Sequence, residues 1–401
     1  MRKVLLISPC FPPSAASGSF RLLGFTRHLP PEQWAVRVLT CDTMPDEAVD
    51  AALLEKVPRE IDVVRVAYPE GRSWGVIARA LEKSQLTDRH IGWVARAIRR
   101  GQELCRDWRP DIVLTSGPPH SVHWVGFFLK RTCSVAWIAD VRDPMAFGAK
   151  FGLRKRGSQT IERIHFNAAD RVILNAPGAK HAFDTEYPGL APKGIVIPNG
   201  FDPEDFAAEP GPPGPIPTLL HIGELYGYRD PRPLFEAIAR ASRAGTLDPF
   251  RLKLVGGHAR SQYDACVSLG IEPMVELHDH VPHAEARMQM INADVLLLLD
   301  HPDRRIGVPA KLYEYVATGR PILALTEPDG DSARVLSETG ARHQIAAPRD
   351  VAGIETALRA ILQQTKARGA KADAERISAF SRRVLASRLS AVMGEVLASR
   401  G

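Results

Sequence analysis

A chain of 401 residues, 45% hydrophobic and 24% charged, is long enough for two α/β cores of roughly 180 to 200 residues each and is neither disordered nor fibrous in composition. Its net charge is +6, with the basic excess in the first 190 residues, which points to an anionic acceptor or membrane surface or to nothing more than a solvated basic face. Nucleic acid fits less well, since no aromatic or helical reader interleaves the arginines. Cys10, Cys41, Cys105, Cys133 and Cys266 form no C-x-x-C pair, so no disulfide framework or zinc site is expected and a reducing compartment fits best.

The apolar run after the basic tip MRK is only about five residues long before prolines intervene, too short for a signal-peptide core, and reads as a first buried strand. The longest candidate span, Val122 to Leu129, is interrupted by His123 and falls far short of the roughly 18 residues that cross a bilayer. A cytoplasmic protein, peripheral on the inner face of the membrane if it associates with one, is expected.

In chain order, strands are predicted at residues 3–8, 35–40, 62–66, 112–116, 136–139 and 171–174, separated by helical patterns. That alternation describes a Rossmann-like parallel sheet. The first strand runs into SPCFPPSAASGSFR, whose Ser17 and Gly18 permit close backbone approach before a helix near Phe20; an ordinary βα turn would look similar. Residues 92–108 form an amphipathic helix with Trp93, Ala97 and Leu104 on one face and Arg96, Arg99, Arg100 and Arg106 on the rest.

TSGPPHSVHWVG (115–126) follows a strand and opens a helix, so His120 and His123, three apart on its first turn, can face the strand ends where α/β ligands bind. A helix N-terminus disfavours protonation, which suits neutral partners for sugar hydroxyls; histidines that merely pack or meet solvent are the alternative. Strand VAWIAD ends in VRDPM, where Asp140, Arg142 and Asp143 either satisfy one another or face an acceptor.

Proline and glycine thicken into EPGPPGPIP (209–217), which makes residues 191–217 the expected linker between domains 1–190 and 218–375. The pattern then restarts: strands at 218–222, 252–255, 275–278, 295–299 and 322–325, with helices at 231–242, 283–292, from Pro309, and at 331–338. Residues 376–401 read as one or two helices, kinked near Ser378, Phe380 and Ser381. IPNGFDP (197–203) is a tight Asn-Gly turn. In HIGELYGYRDP (221–231), Gly223 ends a strand and Arg229 precedes a helix, where an arginine can clamp a diphosphate. In RRIGVPAKLYEYVATGRPILAL (304–325), Gly307 precedes a helix on which Lys311 and Glu314 share a face, either as a phosphate cation with a ribose carboxylate or as a surface ion pair.

In this order, SPCFPPSAASGSFR, GPPHSVH, ADVRDP, IPNGFDP, GELYGYRDP and KLYEYVATGRPILAL resemble glycosyltransferase family 4, a bacterial polysaccharide branch of it, across nearly the whole chain. The resemblance implies an α/β GT-B fold: two Rossmann-like βαβ domains facing a central cleft, the C-terminal helix returning to the N-lobe. It implies a retaining transfer from a UDP- or GDP-type nucleotide-sugar donor, with no obligatory cofactor or metal, to a glycan or polyprenyl-linked acceptor in polysaccharide or glycoconjugate synthesis. By that resemblance His123, Arg229 and Lys311 are the catalytic candidates. Ser17, Gly18, Gly223, Arg229, Gly307, Val308, Lys311, Leu312 and Glu314 are expected at the donor, with Glu314 at the ribose. His120, Asp140, Arg142 and Asp143 are expected at the acceptor. The family places a glutamate eight positions before the residue matching Glu314; here that position is Ile306, so amides around Gly307 to Ala310 are expected to replace its sugar contact. The departing phosphate is expected to help deprotonate the acceptor on the front face. A nucleotide-sugar 2-epimerase using Asp140 and Asp143, or a non-catalytic nucleotide-sugar-binding partner, are the alternatives.

Overall fold

Short runs of apolar, often β-branched residues bury both faces when helices cover a parallel sheet from either side, and both halves of this chain are built that way. The computed structural model describes residues 1–42, 48–69, 88, 90–145, 153–225, 229–365 and 373–400. Most of KFGLRKR (150–156) and Tyr226 to Tyr228 of GELYGYRDP lie outside the described residues or their described side chains. The chain divides into two units, Met1–Asn199 with Arg382–Gly401, and Gly200–Ser381.

The first unit runs β1 (Arg2–Ile7), α1 (Ser17–His28), β2 (Trp34–Cys41), β3 (Asp62–Val66), α2 (Ile91–Asp107), β4 (Ile112–Gly117), α3 (Val122–Cys133), β5 (Ala136–Val141), α4 (Leu153–Ala168), β6 (Arg171–Leu174), α5 (Pro177–Glu186) and β7 (Gly194–Val196). Its seven strands are parallel in the order β3-β2-β1-β4-β5-β6-β7, so the strand order reverses between β1 and β4. Val4, Leu6, Ile112, Leu114 and Ile138 are fully buried and share one core with Leu385, Leu389 and Met393 of the C-terminal helix. Trp34 Nε1 donates to Ser390 Oγ at 2.8 Å, anchoring that helix.

The second unit runs β8 (Thr218–Ile222), α6 (Arg232–Arg243), β9 (Arg251–Val255), α7 (Tyr263–Leu269), β10 (Val275–His278), α8 (His283–Asn292), β11 (Val295–Leu299), α9 (Ala310–Thr318), β12 (Ile322–Leu325), α10 (Asp331–Thr339), β13 (His343–Ala346), α11 (Val351–Thr365) and α12 (Ala374–Ser378); α13 (Arg382–Ala398) then returns the chain to the first unit. Its parallel order is β10-β9-β8-β11-β12-β13, reversing between β8 and β11. Leu219, Phe235, Leu252, Leu254, Leu297, Leu323, Ile354 and Leu358 form its core.

The first boundary falls within the expected linker and the later one lies past residue 375. The chain changes unit at Asn199–Gly200, inside the expected linker and upstream of the proline run at 209–217. β7, also inside that linker, completes the first sheet as a three-residue edge strand, too short for a periodicity to register. The later boundary lies at Ser381 rather than 375, because Phe201 pairs with Ser381 and the ring of Phe380 sits 5.2 Å from that of Tyr313.

Helix α3 closes on β5 through Gly126, where an added Cβ would overlap the fully buried Trp137 indole. Gly126→Ala is expected to destabilise the first unit by about 2 kcal/mol and lower its melting temperature by about 5 °C, read by calorimetry, despite alanine's better helix propensity.

Candidate functional site

In open parallel sheets, ligands bind beyond the carboxyl ends of the strands where the order reverses. In the second unit that place is the β8/β11 junction. The strands pair only through Leu219↔Val295 and Leu220↔Leu296, although β8 continues to Ile222 and β11 to Leu299. Beyond this point side chains take over: Lys311 Nζ donates to the Ile222 carbonyl at 2.8 Å, the Ile222 N–H donates to Tyr315 Oη at 3.1 Å, and His221 Nδ1 donates to the Leu297 carbonyl at 2.9 Å.

Gly223, with φ +140°, lies against Lys311, whose ammonium occupies the space a Cβ would need. Burial, and then the nearby Arg229 guanidinium, push the Lys311 ammonium down to about 7; Glu314, Asp300 and Glu224 act in the opposite sense. The structure thus gathers Gly223, Arg229, Lys311 and Glu314 at one strand end. Glu314 Oε1 stands 3.6 Å from His283 Nε2 of α8. Burial and Lys311 hold His221 well below the usual histidine range, and because a carbonyl only accepts, its Nδ1 carries the proton.

Leu312 and Val308 are buried and serve packing. Gly307 adopts φ +88°, but its amide already donates to Asp331 Oδ2 at 2.8 Å, and Pro309 has none, so neither of these two supplies the amide expected in place of the missing carboxylate. Asp300, at the end of β11, escaped sequence reasoning. Its carboxylate accepts from Ser332 Oγ at 2.9 Å, Thr326 Oγ1 at 3.2 Å and the His301 amide at 2.8 Å. Its one signal was an acid closing the run VLLLL.

In the first unit the ends of β4 and β5 carry the corresponding cluster. His123 is buried, its Nδ1 2.9 Å from Thr115 Oγ1, a hydroxyl that also accepts from Trp137 Nε1 at 2.9 Å. Its Nε2 is buried near Gly117 without a partner among the described residues. Burial, then His165 and His120, hold it well below the usual range, so it is a neutral imidazole. His120 is also lowered by burial, against the pull of Asp88 and Asp143. His165, missed in the sequence, packs edge-on to Trp124 at 4.4 Å and is pushed down to about 3 by burial.

Gly18 and Arg142 are brought together: the guanidinium fills the space beside Gly18, while Arg142 Nε donates to the Gly117 carbonyl at 3.2 Å and Nη2 to that of Pro118. Ser17 is exposed at the start of α1, and Asp143 is exposed beside His120. Asp140 departs from its expected place at an acceptor. It is fully buried, bidentate to Arg21 at 2.7 and 2.8 Å, and accepts from Ser116 Oγ at 2.6 Å; Arg21 also donates to the Ile197 and Pro198 carbonyls. A partner 119 residues away leaves no local pattern to read.

The family model described as "Glycosyl transferase 4-like domain" matches residues 19–200, and that described as "Glycosyl transferases group 1" matches residues 216–364. Glycogen synthase of Mycobacterium tuberculosis is 26% identical over 284 residues, 68% of this chain; the match spans 64% of that protein's length. Among solved structures, sucrose-phosphate synthase from Thermosynechococcus elongatus superposes with a TM-score of 0.71 at 17% identity, covering 100% of both chains. Anabaena Alr3699/HepE in complex with UDP and glucose gives 0.69 at 16% identity, covering 98% of this chain and 100% of that one. At such identities the likeness concerns the fold.

Asp140→Asn removes one half of a buried ion pair and leaves the Arg21 charge uncompensated. A loss of about 3 kcal/mol, seen as a melting temperature lowered by about 10 °C for the first unit, is expected. Calorimetric titration should show nucleotide affinity unchanged in the folded variant.

Proposed function

Since the chain belongs to the family-4-like glycosyltransferases with a GT-B fold, we propose that it transfers a sugar from a nucleoside-diphosphate sugar to a hydroxyl of a glycan or lipid-linked acceptor. One observation carries this reading: Lys311 and Arg229 converge at the end of β8, where burial first and the neighbouring guanidinium second depress the lysine. An anion seated there relieves both desolvation and repulsion, and the first-turn amides of α9 face the same region. A diphosphate fits, with Glu314 accepting from ribose hydroxyls.

As the glycosidic bond to the nucleotide breaks, charge grows on the leaving diphosphate. Lys311 and Arg229 stabilise that charge more than the ground state, which lowers the barrier. The acceptor hydroxyl attacks the anomeric carbon, and a phosphate oxygen of the departing group takes its proton from the same face, so configuration is retained. The neutral His123, its Nε2 without a partner among the described residues, is assigned to a sugar hydroxyl. His120, Arg142 and Asp143 are assigned to the acceptor. The UDP complexes of the Anabaena neighbour make UDP-sugars the first donors to test, with GDP-sugars next. The commitment of Asp140 to Arg21 disfavours the epimerase alternative, which needs it as a proton carrier.

Association with an anionic membrane is part of this reading. Among the described residues no helix is long and apolar enough to cross a membrane. On α3, however, Trp124 and Phe127 lie beside Phe128, which is 40% exposed, and Arg131 sits 5.5 Å over the Phe127 ring. One exposed aromatic with two half-buried ones and a cationic neighbour suits a headgroup interface. In flotation with anionic vesicles, Arg131→Ser is expected to reduce binding about fivefold, with no change on neutral vesicles, where binding is weak throughout.

Lys311 with a pKa of about 7 predicts the pH dependence of donor binding. The diphosphate of a UDP-sugar does not titrate in this range. Affinity should therefore be highest below pH 7, where the lysine is charged, and fall as pH rises, approaching tenfold per pH unit. Calorimetry at pH 8 in buffers of different ionisation enthalpy should show close to one proton taken up per donor bound. Lys311→Ala should weaken binding about 30-fold at pH 6.5 and abolish the proton uptake. Binding that is independent of pH and of Lys311 would count against the assignment.

A further inference from the structure

The geometry points to Tyr315 as a positioning residue for the diphosphate site, its hydroxyl holding α9, and with it Lys311, in register with the end of β8. The inference rests on the reading of Lys311 as a diphosphate ligand. In a parallel sheet a residue turns its N–H and C=O to the same neighbouring strand. Leu220 is the last residue of β8 to pair with β11; Ile222, two residues on, points the same way after β11 has parted from it. Its half-buried polar groups, with no strand beside them, take partners elsewhere. α9 supplies both: Tyr315 Oη accepts from the Ile222 N–H at 3.1 Å, and Lys311 Nζ donates to the Ile222 carbonyl at 2.8 Å.

Lys311 and Tyr315 are i and i+4, one turn apart on one helix face, so a single peptide residue is gripped at two points by a rigid element. Tyr315 is fully buried and burial raises its hydroxyl above the usual phenol range, so it stays neutral and able to accept. His221 completes the junction by donating to the Leu297 carbonyl on the facing strand. Gly223 follows Ile222 directly, with Lys311 packed where its Cβ would lie. A small rotation of α9 therefore changes the ammonium's place relative to Gly223 first.

The test is Tyr315→Phe in the full chain, which removes one oxygen atom and keeps the ring. Binding of UDP and UMP is measured by calorimetry at pH 6.5, with GDP and GMP as a second pair. The diphosphate is expected to bind about tenfold more weakly and the monophosphate within about twofold of wild type, a change in ratio that general destabilisation does not produce. In a Lys311→Met background the effect of Tyr315→Phe should disappear, since the two side chains act as a unit. Hydrogen exchange at the Ile222 amide gives an independent readout: protected in wild type, and faster in Tyr315→Phe. Wild type that binds a diphosphate, with an unchanged diphosphate-to-monophosphate ratio in Tyr315→Phe, leaves the donor reading standing and overturns this inference. Wild type that binds no nucleoside diphosphate overturns the donor reading, and Ile222 exchange then decides whether Tyr315 holds β8. Should Tyr315→Phe fail to fold, an Ile222 amide that exchanges in wild type as fast as an exposed loop overturns the inference.

Discussion

Backbone carbonyls at the carboxyl ends of parallel strands, left without a neighbouring strand, must find donors, and in this protein buried cations supply them. Lys311 takes the carbonyl of Ile222 in the second unit. In the first, Arg142 takes the carbonyl of Pro118 and adds to its own backbone amide on that of Gly117, and Arg21 takes those of Ile197 and Pro198. A parallel sheet that reverses its strand order creates such orphans at the place where ligands bind. The groups that solve the folding problem thereby become the charges that define the site.

The three cations meet different ends. Arg21 is neutralised by Asp140 and held by further acceptors, so it is structural and its removal costs stability. Arg142 packs against Gly18 and braces the turn that carries His120 and His123. Lys311 has no such full compensation: burial and then Arg229 oppose its charge, and the acids near it do not restore its ordinary pKa. In the proposed reading an anion seated there would recover the stability that this burial and repulsion cost.

Family membership and the strand-end geometry support different parts of the account. The family matches, covering residues 19–200 and 216–364, place the chain among the glycosyltransferases. Which phosphate, sugar and acceptor groups face which side chains is argued from charge, burial and tautomer. Thr115, itself held by Trp137, meets one nitrogen of the His123 ring, burial keeps the ring neutral, and the other nitrogen has no partner among the described residues.

The sequence alone determined the two Rossmann-like sheets, because each strand is a short apolar run and each covering helix a longer amphipathic one, signals that are local and periodic. It also grouped Gly223, Arg229, Lys311 and Glu314, through motifs whose order mattered more than any one of them, and the fold brings these four to one strand end. Tertiary structure decided what those residues touch. The pairing of Asp140 with Arg21, the binding of the Gly307 amide by Asp331, and the grip of Tyr315 on Ile222 all join residues far apart in the chain. So does the membership of α13 and β7 in the first unit. Such contacts follow from where strands part and which buried groups then lack partners, a property of the assembled sheet that no local spacing encodes.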